Sequence, residues 1–108
     1  MFFEDWKEHS ENTIKSSLLW EYNLENFDWQ KYRGVVVQRV IERGWYSDWY
    51  AAINLYGGLE NFIEIIKNDV PILNSAKDLN FVCIGFNLKK EDLKCYRRKQ
   101  YREQLLNS

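Results

Sequence analysis

The sequence predicts an all-α fold: a compact bundle of five or six short helices, some joined as helix-turn-helix-like pairs. Three observations carry that expectation. Aromatic residues cluster where helices should begin, with Trp20, Tyr22, Phe27, Trp29 and Tyr32 in one group and Trp45, Tyr46, Trp49, Tyr50 and Tyr56 in a second. Glycines stand where helices should stop, at Gly44 and at Gly57-Gly58. Between them, apolar residues recur at spacings of three and four, the period of a helix face.

Residues 1–15 are polar and acidic, with Phe2, Phe3 and Trp6 scattered among charges, and read as an N-terminal arm or a short first helix. Residues 16–100 read as the helical domain and 101–108 as a C-terminal tail. Ser16 to Tyr22 allows one or two helical turns, and Asn23 to Phe27 reads as a loop. Asp28 is a suitable N-cap, because its carboxylate can accept bonds from first-turn amides. Trp29, Tyr32, Val36 and Val40 then define one helix face, widened by Val35, Val37 and Ile41. The valines favour a strand; the cap, the period and Gly44 at the C-terminal stop favour a helix. Ser47 or Asp48 caps the next helix, with Trp49, Ile53 and Tyr56 on one face, Ala52 and Leu55 beside them, and Gly57-Gly58 ending it.

Leu59 to Lys67 is expected as a third helix with Leu59, Phe62, Ile63 and Ile66 facing inward. Pro71 forbids its extension. Ser75 with Asp78 makes a capping-box-like start, followed by an apolar face of Leu79, Val82, Cys83 and Phe86. Gly85-Phe86-Asn87 breaks that helix. Leu88 to Leu93 reads as a short helix leading into a basic end.

Composition bounds the function classes. The chain has 108 residues, 45% hydrophobic and 29% charged, which suits one globular domain rather than a disordered segment. Cys83 and Cys95 form no C-x-x-C pair and the single histidine is His9, so Cys and His cannot supply a four-ligand zinc site. No cofactor or metal motif stands out. The acids fall at caps and polar faces, and the glycines match no phosphate-binding loop. A non-enzymatic protein is therefore expected. The N-terminal residues lack the pattern of a signal peptide and no apolar run is long enough to span a bilayer. A cytoplasmic location without membrane contact follows as an expectation.

The net charge of −1 conceals a gradient. Residues 1–30 carry a net −5, residues 31–88 are neutral, and residues 89–108 carry a net +4. Lys94, Arg97, Arg98, Lys99 and Arg102 interleave with Tyr96 and Tyr101, a composition able to neutralise phosphates while rings stack on bases. These five bases are the candidate nucleic-acid contacts. Two helix pairs offer a helix-turn-helix: Asp48 to Lys67 across the paired glycines, and Asp78 to Arg98, whose later helix carries the bases. Ten rings between Trp20 and Tyr56 exceed what a core of this size readily hides. Trp45, Tyr46 and Tyr50 are the candidate contacts for a protein partner.

The runs L-L-W-E-Y-N-L-E-N-F-D-W-Q-K-Y-R, V-V-V-Q-R-V-I-E-R-G, D-W-Y-A-A-I-N-L-Y-G-G and G-F-N-L-K-K-E-D-L-K-C-Y-R-R-K-Q span residues 18–100. Their order resembles a family of small bacterial all-helical proteins of unknown function, often encoded beside nucleotidyltransferase-type toxins of abortive-infection systems. Trp20, Asp28, Trp29, Arg39, Gly44, Asp48, Trp49, Tyr56, Gly57, Cys95, Tyr96 and Gln100 match the pattern. Most suit caps, stops or core rings; Arg39 is expected to pair with an acid. The chain departs from the pattern in Val-Ile for Val-Leu and in a short tail after Gln100. The resemblance implies an antitoxin-like or regulatory partner of a toxin-antitoxin or phage-defence locus, acting by protein binding. It brings no catalytic residue. The alternatives are a DNA-binding transcriptional regulator and a scaffold module with no such partner. The sequence leaves the oligomeric state open.

Overall fold

A computed structural model describes residues 1–107, and the described chain is entirely helical. Five α-helices follow in order: α1 (Arg33–Arg43), α2 (Tyr46–Leu55), α3 (Leu59–Asn68), α4 (Ala76–Gly85) and α5 (Lys94–Asn107). Short 3-10 turns lie at Trp6–His9, Ser16–Leu19, Leu24–Asn26 and Lys90–Asp92. Helices α1, α2 and α3 pack mutually. Their apolar faces enclose Val36, Val37, Val40, Trp49, Ile53, Phe62 and Ile66, joined by Leu19, Val82, Phe86 and Leu93 from the flanking segments. The valine run is helical, as the cap-and-period reading predicts.

Several elements differ from expectation, each for a visible reason. Helix α1 begins at Arg33, a turn later than an Asp28 cap implies. Asp28 Oδ1 does accept the Lys31 amide at 3.0 Å. The carbonyl of Trp29, however, accepts the Tyr56 hydroxyl at 2.9 Å, so the intervening residues form turns before the helical ladder starts. Helix α2 begins at Tyr46, before either predicted cap, and Asp48 acts from its third position by accepting the Trp45 amide at 2.8 Å. The stretch from Leu88 to Leu93 supplies only one 3-10 turn; Leu93 is extended and buried, and separates it from α5. Helix α5 runs through residue 100 without a break.

Tertiary contact uses the helix stops. After α2, Gly57 has φ +89° and Gly58 φ +122°, conformations costly for residues with a Cβ. The Gly58 amide reaches back to the Ile53 carbonyl at 2.9 Å, closing a Schellman motif. Asn87, at φ 55°, does the same after α4, with the Leu88 amide on the Cys83 carbonyl at 2.9 Å. Gly44 is different. Its φ of −76° is ordinary, and it is small because a Cβ would lie 2.6 Å from the Val40 carbonyl oxygen.

Residues 1–15 dock on the domain. The Phe2 amide donates to the Gly85 carbonyl at 2.9 Å, Asn54 donates to the Trp6 carbonyl at 3.0 Å, and Phe3 stacks on Trp49. The acidic arm thus lies across α2 and α4, with Phe3 and Trp6 packed against the core and Phe2 exposed beside Gly85.

Candidate functional site

The basic end is built on α5. Leu93, fully buried, and Cys95, nearly so, anchor the start of this helix. From Arg97 to Leu106 every residue is exposed. On a helix, positions separated by three and four share a face. Lys94, Arg97, Arg98, Tyr101, Arg102 and Leu105 follow that spacing, and these six residues line one shallow depression. Four predicted nucleic-acid contacts therefore converge on one stripe. Lys99 does not join them; it faces the groove between α5 and the Pro71–Asn74 segment. Arg97 donates to the Glu91 carbonyl at 2.7 Å, and none of the five bases forms an ion pair with a described residue. No acid stands in the stripe; Glu103 lies on the groove side.

The two helix-turn-helix candidates separate into unlike parts. The α2–α3 pair has a short connection, Tyr56-Gly57-Gly58, but the exposed residues of α3 are Glu60, Asn61, Glu64 and Asn68. Two carboxylates on that face oppose a phosphate backbone. The α4–α5 pair carries the cations, but the segment between Gly85 and Lys94 includes a 3-10 turn and a buried Leu93, so the two helices do not form a tight pair.

The ring candidates also divide. Trp45 and Tyr46 are 69% and 68% exposed. Tyr50 is not free: its hydroxyl donates to Asp5 Oδ1 at 2.8 Å, and His9 stacks on it at 4.1 Å. The Asp5 bond raises the Tyr50 phenol above its ordinary value. Trp20, one of the ten rings between Trp20 and Tyr56, is 74% exposed because Leu18 and Leu19 of the same turn take the interior positions. Leu55 is likewise exposed rather than beside the core.

Sequence reasoning missed the group beneath Trp45. Asp48 is completely buried. Its Oδ1 accepts the Lys15 amide at 2.9 Å, and its Oδ2 lies 3.3 Å from the Lys15 ammonium. That ammonium also sits 3.8 Å from the centre of the Trp45 ring. The helix start is thereby tied to a residue 33 positions earlier. The sequence offered Asp48 only as a possible cap for the next helix. Arg39 pairs with Glu21 at 2.6 Å, as expected, and also donates to the Leu18 carbonyl at 3.0 Å.

Burial raises the thiols of Cys83 and Cys95, which disfavours the nucleophilic thiolate. Among the described residues no group of three or more His, Cys, Asp or Glu could hold a metal ion, and no helix is long and apolar enough to cross a membrane.

Fold and surface together define a small all-α protein with a docked acidic arm and a basic, outward-facing terminal helix. Residues 14–66 match the model of a family of unknown function, DUF6922. The matched stretch holds α1, α2, most of α3 and the Lys15–Asp48–Trp45 group, and ends within α3. No curated protein and no solved structure matches the chain.

Proposed function

We propose that this chain is a non-enzymatic, antitoxin-like or regulatory partner protein of a bacterial toxin-antitoxin or phage-defence locus, acting in the cytoplasm by docking on another protein. The observation that carries the reading is the α5 stripe, in which Lys94, Arg97, Arg98 and Arg102 share one exposed face with Tyr101 and Leu105. Cations around a ring and an aliphatic side chain suit an acidic protein surface: the charges steer the encounter, and the apolar residues supply contact area. The family resemblance supplies the partner class, a nucleotidyltransferase-type toxin. Nucleotidyl transfer uses metal ions held by carboxylates, and a helix face with four cations and no acid is complementary to such a site. Trp45 and Tyr46 provide a second contact region; Tyr50 is engaged within the chain.

Co-purification with the product of the adjacent gene tests this reading. A complex is expected at low salt, lost on the triple charge reversal Arg97→Glu/Arg98→Glu/Arg102→Glu. Absence of any complex with the unaltered chain sinks it. The second reading, DNA binding, is favoured by Tyr101 standing among the same cations. Phosphate contacts predict affinity for duplex DNA that falls steeply with salt. No measurable binding at low salt removes that alternative.

A further inference from the structure

The junction of the arm with α2 and α4 holds a feature that the α5 stripe does not use. Phe3 lies within 10° of parallel to Trp49, with ring centres 5.1 Å apart. Phe2, Tyr46 and Tyr50 stand at 87°, 70° and 85° to Phe3. Phe81 closes the side next to Phe2, at 5.0 Å. Phe2, Phe3, Tyr46, Tyr50 and Phe81 line a cavity of about 180 Å³, room for the end of one side chain. Three walls nearly perpendicular to a common ring make a box rather than a flat patch.

Rings alone would accept any apolar group; the surrounding charge narrows the choice. Asp5 holds the Tyr50 hydroxyl, and Glu8 lies close enough that its charge, with that of Asp5, helps to raise the Tyr50 phenol. No lysine or arginine lines the cavity, and Lys7 on the arm is drawn over Trp6 instead, at 5.5 Å. His9 covers Tyr50 by stacking and shares the Asp5 carboxylate. Aromatic faces attract cations through their quadrupoles, and nearby carboxylates add to the attraction.

We infer that this box receives the cationic head of an arginine or lysine side chain from a partner polypeptide, held among Phe2, Phe3, Tyr46, Tyr50 and Phe81 beside the Asp5 carboxylate. The assignment deepens the partner-binding reading at Tyr46 and rests on it; Tyr50 serves as a wall held in place by Asp5. The test needs no partner protein, so either can fail without the other.

The full chain is titrated with N-acetyl-arginine amide, N-acetyl-lysine amide (free side-chain amine), tetramethylammonium and N-acetyl-norleucine amide, while the aromatic resonances of Phe3, Tyr46 and Tyr50 are followed by NMR. The arginine or lysine probe is expected to shift these rings saturably, and the uncharged norleucine probe is not. Tyr46→Ala, at an exposed position, should weaken the cation about five-fold, the scale of one lost cation–π contact. Glu8→Gln should weaken it as well, since it removes a charge felt at Tyr50 without breaking the Asp5 bond that holds the arm. It serves as the second variant should Tyr46→Ala disturb the fold by circular dichroism. Equal binding of norleucine would make the box a plain apolar pocket and overturn the proposal. So would binding of tetramethylammonium without arginine or lysine, saturation that leaves the three rings unmoved, or no saturable shift with any probe.

Discussion

Asp48 places a carboxylate where no water reaches it, a costly arrangement that three bonds offset. It accepts the amides of Lys15 and Trp45 and pairs with the Lys15 ammonium. A buried charge is tolerated only when its acceptor sites are filled, and losing one partner leaves the other exposed to the desolvation cost. Asp48→Asn, close in size but uncharged, is expected to lower unfolding stability by about 3 kcal/mol in urea denaturation. A change near zero would show that shape alone matters there. Gly34 supplies a sharper test, because helix propensity and packing predict opposite signs. Propensity says that alanine in a helix gains about 1 kcal/mol over glycine. In the structure a Cβ at Gly34 would drive into the backbone carbonyl of Asp69, where α1 crosses the end of α3. Gly34→Ala should therefore destabilise by about 2 kcal/mol, as overpacking does, read from the same denaturation experiment.

Among the elements, α5 and the arm behave differently. Helix α5 is held by its first turn, and its cations make no ion pair with the described body of the fold. The double reversal Arg98→Glu/Arg102→Glu, which spares the Arg97 bond to the Glu91 carbonyl, should leave thermal unfolding within about 1 kcal/mol of the unaltered chain, the usual range for two exposed positions. Any loss of binding in that variant then reports the surface and not the fold. The arm depends on charge. Asp5 sits below its ordinary value of 3.8, chiefly because the Tyr50 hydroxyl donates to it, with His9 contributing. A carboxyl lowered in the folded state adds stability above its unfolded value and loses it as pH falls through the folded one. Docking of the arm should therefore weaken as pH drops below 3.8. The Tyr50 ring resonance, followed against pH, should show that transition, and Asp5→Asn should abolish it. A Tyr50 resonance that ignores pH in the unaltered chain would mean that Asp5 does not hold the arm.

For the whole molecule, the charge gradient becomes a spatial division. The acidic arm of residues 1–15 lies across α2 and α4, and the basic end leaves on α5, within overall extents of 49 × 32 × 20 Å. The all-helical class was legible from period and punctuation: the valine run packs one face, and the paired glycines end α2 in a backbone region that favours glycine over residues with a Cβ. The stripe was half legible, since i, i+3, i+4 spacing collects Lys94, Arg97, Arg98 and Arg102 on any helix, and only the break at Leu93 fixes where that helix starts. By contrast, nothing in local pattern could place Trp20 outside, bind Tyr50 to Asp5, or link Asp48 to Lys15. Helix period and turn chemistry act over a few residues, so the sequence by itself determined which segments coil and where they stop. Which rings fill the core, which line a box and which face solvent depends on contacts between segments tens of residues apart. Competition for one limited interior settles those, and only the tertiary structure decided them.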